Sequence, residues 1–317
     1  MAGDFSEFHD ELRSVAADLL AKERTVDWVT LVDAGWVGLE IDERYGGAGA
    51  TFAETAVICT ELGRAASTTS YLGGAVLAVA TLNALAPSET RDRLLNRVAS
   101  GDTRLAVALE GPDFVPDAPG ADHILIVGDD GVTVAAPEVT PRPVVDETRS
   151  LGAIDPQISG ETLEFDDDPV PAIERLRNRA AVAVACDSLG LAEAMLARTV
   201  SYVKVRHQFG RPIGSFQAVK HTCADMYVEI SICRQLIDAA VAAIVDDAPD
   251  VGVAAAMAKS HVCPAAVEIA SKAMQLHGGI GYTWESGIHV YLKRATLNRA
   301  LFGSPAAHRS QLAKRYR

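Results

Sequence analysis

The chain has 317 residues, 49% of them hydrophobic and 22% charged, enough for one large domain or a few smaller packed units around a sizeable core. Its 42 acidic against 29 basic residues leave a net charge of −13, a surface that repels phosphate backbones and argues against nucleic-acid binding. Any anionic ligand would have to meet a local basic pocket.

Taken in chain order, residues 1–103 read as a helical domain. Phe5, Phe8, Leu12, Val15, Ala16, Leu19 and Leu20 recur at helical spacing. Nothing at this end pairs a basic segment with an apolar block, so no secretory signal is expected. A glycine-rich break, Tyr45-Gly46-Gly47-Ala48-Gly49, precedes an apolar helix predicted over 52–62 and stopped at Gly63. Further helices are predicted over 71–85 and from Pro87-Ser88-Glu89 onward.

Residues 104–170 form a small β domain. Short β-like runs stand at 105–109, 123–127, 132–135 and 162–165, with Asp129-Asp130-Gly131 as a hairpin turn. Residues 171–317 are helical again, with long helices predicted over 172–205, 217–245 and 251–276 and shorter ones over 287–299 and 305–314. Long amphipathic helices joined by short connections make an antiparallel bundle.

Five widely spaced cysteines, Cys59, Cys186, Cys223, Cys233 and Cys263, contain no CxxC and read as free thiols, most of them buried. No uncharged apolar run reaches about 18 residues, so no membrane span is expected and the cytoplasm is the default location. His261-Val262-Cys263 hints at a metal. Residues two apart on a helix do not face one way, however, so no metal site is expected.

Three motifs carry chemistry. Arg206-His207-Gln208-Phe209-Gly210-Arg211-Pro212-Ile213-Gly214-Ser215-Phe216-Gln217 is similar to the RxxFG…Q signature of acyl-CoA dehydrogenases. Gln275-Leu276-His277-Gly278-Gly279-Ile280-Gly281-Tyr282 resembles their Q-x-x-G-G-x-G-[FY] signature. Gly38-Leu39, Tyr45 to Gly49 and Glu61-Leu62-Gly63-Arg64 resemble their N-terminal pattern. The three occur in the family's order, and the resemblance covers the N-terminal hundred residues and everything after about 172.

The resemblance implies a mainly α fold: an N-terminal helical domain, a reduced middle β domain and a C-terminal four-helix bundle. It also implies FAD as cofactor. Arg206 offers a planar fork of donors for pyrophosphate oxygens, and Gln208 adds a hydrogen bond. Phe209 gives a flat apolar surface, and Gln275 has both donor and acceptor for an adenosine end. Gln217 belongs to the first signature, and Gly278 and Gly279 let the backbone approach the cofactor. In the family such residues reach across a dimer interface to hold the ADP half of the neighbour's FAD. Alone, each has a plainer reading: Arg206 as a cation at a helix C-terminus, the glycines as a helix stop, Gln217 as a polar N-terminal residue.

Two absences qualify the resemblance. The family's T-E-P-x-x-G-S-D loop and W-I-[TS]-N-G strand, which hold the isoalloxazine ring, have no full counterpart; Val107 to Pro112 stands in place of the first, with Glu110 as its remnant. The reaction abstracts an α-proton from an acyl thioester and needs a carboxylate over the substrate. At the family's two base positions this chain has Phe302, before Gly303-Ser304, and Ala180. Asp187 lies two helical turns beyond Ala180 in an apolar run, where burial would raise its pKa toward that of a base; a structural aspartate is the other reading. Glu174, out of register, reads as a solvated carboxylate. His207, Lys220 and His221 read as surface or interface groups, and Trp284-Glu285 as packing.

The sequence therefore resembles the shortened subunits of bacterial α2β2 acyl-CoA dehydrogenases, many linked to steroid degradation. The expected partners are a full-length subunit that supplies base and ring site, an acyl-CoA substrate and an electron-transfer acceptor. Two alternatives stay open: a self-sufficient dehydrogenase using Asp187, and a flavin-free structural subunit.

Overall fold

The computed structural model describes residues 6–155 and 157–314; Phe5 lies outside them. The N-terminal part consists of α1 (Ser6–Lys22), α2 (Trp28–Asp33), α3 (Phe52–Ala65), a π-helical turn (Leu72–Leu77) running into α4 (Ala78–Asn83), and α5 (Glu89–Ala99). Thr51 starts α3 with a capping box, its own N–H donating to Glu54 Oε2 at 2.8 Å. Glu54 also meets His9 Nε2 at 2.6 Å, tying α1 to α3.

The sequence places the end of α3 at Gly63, but the helix runs on to Ala65 and closes at Ala66 in the left-handed region. Gly63 is there for another reason. A Cβ on it would sit 2.0 Å from the Asp187 carbonyl oxygen, and one on Gly190 would sit 1.9 Å from the Thr60 carbonyl oxygen. The two glycines let α3 lie backbone to backbone on α6 (Pro169–Val205).

The middle segment holds two small sheets. Strands β1 (Leu105–Ala108), β3 (His123–Val127), β4 (Val132–Ala135) and β7 (Glu161–Leu163) form one, in the order β1-β3-β4-β7. β1 and β3 are parallel, with Leu105 opposite His123, and the remaining pairs are antiparallel. Strands β2 (Val115–Pro116), β5 (Thr140–Arg142) and β6 (Leu151–Ala153) form the second, in the order β2-β6-β5. All four strands predicted from the sequence lie in the first sheet. The second escaped because its strands have two or three residues and two of them contain proline, too short for any alternation to show.

The C-terminal part comprises α6, the hairpin β8 (His207–Gln208) and β9 (Arg211–Pro212), then α7 (Gln217–Val245), α8 (Val251–His277), α9 (Ile288–Ala300) and α10 (Pro305–Lys314). Asp168 caps α6, accepting the Val170 N–H at 2.9 Å, with Pro169 in the first helical position. By length and composition α6 could cross a membrane, but 83% of its most apolar window is buried inside the molecule. It is the central helix, packed on α3, α7, α8 and α9.

Candidate cofactor-binding edge and the replaced catalytic positions

α6 and α8 run in the same direction, so their C-terminal ends emerge together. Tyr202, one turn before the end of α6, stacks on His277 with ring centroids 4.3 Å apart, and its hydroxyl donates to the His277 carbonyl at 3.3 Å. Burial lowers the pKa of His277, so near neutral pH the imidazole stays in this stack as an uncharged ring. The stack brings the two C-terminal motifs, which begin 69 residues apart at Arg206 and Gln275, to one end of the bundle. Beside the stack, on the side of the Gly278–Tyr282 turn and the start of α9, is a cavity of about 360 Å³ lined by Arg198, Tyr202, His277, Ile280 and Ile288.

Arg206 is the residue after α6 and leaves the helix with extended backbone, its N–H still donating to the Tyr202 carbonyl. Its side chain is exposed and has no carboxylate partner among the described residues. Gln208 closes the β8 side of a two-residue hairpin whose central residues, Phe209 and Gly210, both have positive φ (50° and 77°). That is the primed turn type suited to a tight hairpin, and Phe209 is an unusual residue for it. The turn holds the Phe209 ring out, 91% exposed, edge-on to Phe216 at 6.2 Å. Arg211 lies over the Phe216 ring at 4.1 Å. Gln217 opens α7 and is exposed; it caps nothing.

On the neighbouring helix end, Gln275 is exposed and Gly278 follows α8 at φ 61°. A Cβ at Gly278 or Gly279 would meet nothing within 4 Å, so within this chain only backbone conformation restricts Gly278. The space in front of Gly279 is open to a ligand or a second chain. Both helix ends present carbonyl dipoles, which disfavour an anion. The guanidiniums of Arg206 and Arg211 therefore have to carry any phosphate recognition here.

Asp187 is 3% exposed, as its apolar sequence context suggests, but burial does not raise its pKa. Arg294 and Arg149 hold the carboxyl below its ordinary range despite the desolvation that works the other way. Arg294 Nε reaches Oδ1 at 3.0 Å and Nη2 reaches Oδ2 at 2.6 Å, Arg149 Nη2 adds a contact to Oδ2 at 3.1 Å, and Asn298 Nδ2 donates to Oδ1 at 2.6 Å. A carboxylate so paired has little basicity and no lone pair free for a substrate. These surroundings correct the expected pKa shift and are those of a structural ion pair. No sequence signal marked Arg294, Arg149 or Asn298, which are 107, 38 and 111 residues away.

Ala180 is fully buried within α6. Phe302 is half-buried with φ 53°, beside Gly303 at φ 92°, a backbone rarely adopted by a bulky residue. It borders a cavity of about 470 Å³ between the β segment and the end of α9, lined also by Leu109, Phe114, Val115 and Leu297. Glu110 stands at its edge, exposed and paired with Arg177 at 3.1 Å. Glu174 pairs with the same arginine at 3.0 Å. A larger cavity of about 560 Å³ between α3, α6 and α7 has arginines too, but Arg64 and Arg234 are both bound to Glu193.

Other marked residues lie at the surface. His207, Lys220 and His221 are exposed. Trp284 is 73% exposed rather than packed into the core, with its ring edge-on to His289 at 4.5 Å. His261 does not pair with Cys263; it turns toward α7, where Glu229 and Cys233 approach it.

Two helical parts flanking a small β segment, with an arginine-bearing hairpin at the end of the central helix, have the architecture of the acyl-CoA dehydrogenase class of oxidoreductases. The chain belongs to that family. The family's N-terminal-domain model matches residues 5–102 and its C-terminal-domain model matches residues 171–317. The chain is 36% identical over 274 residues, 86% of its length and 81% of the relative's, to acyl-CoA dehydrogenase IpdE2 of Mycolicibacterium smegmatis. Its fold superposes on a variant of the Tcur3481-Tcur3483 steroid ACAD with a TM-score of 0.87 at 26% identity, covering 98% of both chains. The ChsE4-ChsE5 complex from Mycobacterium tuberculosis shares the fold, with a TM-score of 0.81 at 24% identity, over 98% of this chain and 95% of that one.

Proposed function

We propose that this chain is the non-catalytic subunit of an FAD-dependent acyl-CoA dehydrogenase, supplying the ADP-binding edge of a flavin site completed by a full-length partner. One observation carries the reading. Arg206, exposed and without a carboxylate partner among the described residues, and the Phe209 hairpin stand at the same end of the bundle as Gln275 and the open Gly278-Gly279 turn, while the two family base positions hold Phe302 and Ala180 and Asp187 is locked by Arg294 and Arg149. Arg206 would hold pyrophosphate, with Gln208 beside it. Phe209 would cover the cofactor's flank, Gln275 would bind the adenosine end, and Gln217 would support the hairpin at the start of α7. Bound FAD supplies the redox chemistry of α,β-desaturation, and this chain's residues bind and orient it.

In this reading Asp187 is structural and the partner contributes the general base, the ring site and the contact with an electron-transfer acceptor. An α2β2 assembly in the cytoplasm follows, with 1–103, 104–170 and 171–317 as the chain's three units. The likenesses to the Tcur3481-Tcur3483 steroid ACAD and to the ChsE4-ChsE5 complex support an assembly of unlike chains, and the first supports a steroid-derived acyl-CoA substrate.

Counting flavin tests the proposal. One FAD per pair of unlike chains, two per α2β2 tetramer, and little or none on this chain alone are expected. About one FAD per chain in isolation, together with acyl-CoA turnover, would favour the self-sufficient enzyme instead.

A further inference from the structure

Outside the cofactor edge, one group of side chains has the composition of a metal site. Glu229 and Cys233 stand one helical turn apart on α7, and His261 faces them from α8. Their ligand atoms all lie within 4.8 Å of one another. Cys233 is fully buried as a free thiol beneath the two polar groups. His261 Nε2 is 2.7 Å from Glu229 Oε1, yet the two are not aligned as a hydrogen bond, and Nε2 is shielded from solvent with no other partner. The other cysteine of this seam is committed elsewhere, with Cys263 Sγ 3.5 Å from Ser188 Oγ and 3.7 Å from Lys259 Nζ.

We propose that Glu229, Cys233 and His261 form a site for a thiophilic divalent cation of the zinc class, clamping α7 to α8. Thiolate and imidazole select such ions over calcium or magnesium, which take oxygen ligands. Tetrahedral bonds of about 2.0–2.3 Å place neighbouring ligand atoms roughly 3.3–3.6 Å apart, so Glu229 and His261 separate slightly while the thiol closes in. Binding displaces the thiol proton to solvent, and the carboxylate and thiolate together balance the ion's two charges. Three protein ligands leave one position for water. The site is independent of the flavin reading.

Cobalt(II) titrated into the full-length chain, freed of metal with a chelator, tests the site. The expected result is a thiolate-to-cobalt charge-transfer band in the near ultraviolet with visible bands of a four-coordinate ion, saturating at one ion per chain. Cys233→Ser should abolish the charge-transfer band. His261→Gln should weaken binding by about tenfold or more. Cys223→Ser, at the half-buried thiol elsewhere on α7, should change neither. Absence of the thiolate band, its survival in Cys233→Ser, or its loss in Cys223→Ser would overturn the proposal. Should Cys233→Ser not fold, His261→Gln decides alone, because His261 is half-exposed and its loss leaves the core intact; unchanged affinity there overturns the site.

Discussion

Arg294 grips both oxygens of Asp187, Nε to Oδ1 at 3.0 Å and Nη2 to Oδ2 at 2.6 Å, in a bidentate pair between α9 and α6 that water does not reach. The spare nitrogen of the same guanidinium donates to the Ser67 carbonyl at 2.6 Å and to Thr148 Oγ1 at 2.9 Å, so one side chain joins all three parts of the chain. Arg294→Ala leaves a buried carboxylate with a weakened set of partners and should cost about 3–5 kcal/mol of stability, read from the denaturant midpoint. A loss below about 1 kcal/mol would mean that Arg149 and Asn298 suffice.

Asp187→Asn separates structure from chemistry. It should weaken the fold, because two arginines lose their counter-charge, yet leave turnover per folded, flavin-loaded complex within a few-fold of wild type. A fall of roughly a hundredfold, the scale of a lost general base, at unchanged flavin content would assign Asp187 to catalysis.

Arg206→Ala should release flavin from the assembled complex. Loss of one charge-assisted contact to phosphate costs about 1.5–3 kcal/mol, a roughly tenfold to hundredfold drop in affinity, measurable by flavin fluorescence on dilution. Thermal stability should hardly change, since the exposed guanidinium makes no ion pair within the described residues. Undiminished flavin retention would remove this arginine from the cofactor edge.

Asp117 titrates in the opposite sense to Asp187. Burial pushes its carboxyl up to about 6, with only the Gly73 N–H at 2.7 Å and distant arginines to favour the charged form. A raised folded-state pKa contributes stability below the unfolded value near 3.8, lost as pH rises through about 6. Asp117→Asn should therefore stabilise the chain at neutral pH by up to about 3 kcal/mol and flatten its stability between pH 4 and 6. Asparagine can keep the Gly73 bond and tolerates the local φ of 58°. Denaturant midpoints across that range, variant against wild type, check it. A slope unchanged by the substitution would place the titration elsewhere.

Gly190→Ala should destabilise by about 3 kcal/mol or more, since its Cβ would collide with the Thr60 carbonyl of α3 and both backbones are fixed. Gly63→Ala should do the same from the other helix. A melting temperature unchanged in either variant would show that the helices can part without cost.

The helices announced themselves because their apolar spacing is long and regular; α7 and α10 begin and end where the pattern does. Local chemistry also sufficed where it acts over one turn, as at Ser88, whose side chain accepts the Arg91 N–H at the start of α5. What the sequence concealed is set by distant partners. Gly63 looks like a helix stop until α6 lies against it, and Asp187 looks like a group with a raised pKa until Arg294 and Arg149 arrive. The residues proposed for a cofactor edge could be picked out by motif, but the two helix ends that bear them are joined by the Tyr202–His277 stack, which no local pattern signals. Glu229 and Cys233 do have the one-turn spacing of a shared face; the missing clue was that His261, not Cys263, completes the group.

At about 1.5 Å per residue, the 37 residues of α6 form a rod of roughly 55 Å. From Ala180 to Ala192 every residue along it is buried, ringed by α3 on one side and by bundle helices on the other. Neither flank can therefore be removed without exposing this stretch to water. A fragment beginning at residue 169 would present an apolar stripe wide enough to aggregate or enter a detergent micelle, and a fragment ending before it would lose the floor beneath α3. Co-expressed, the two pieces should rescue each other, because the surface that makes each insoluble is the surface the other covers.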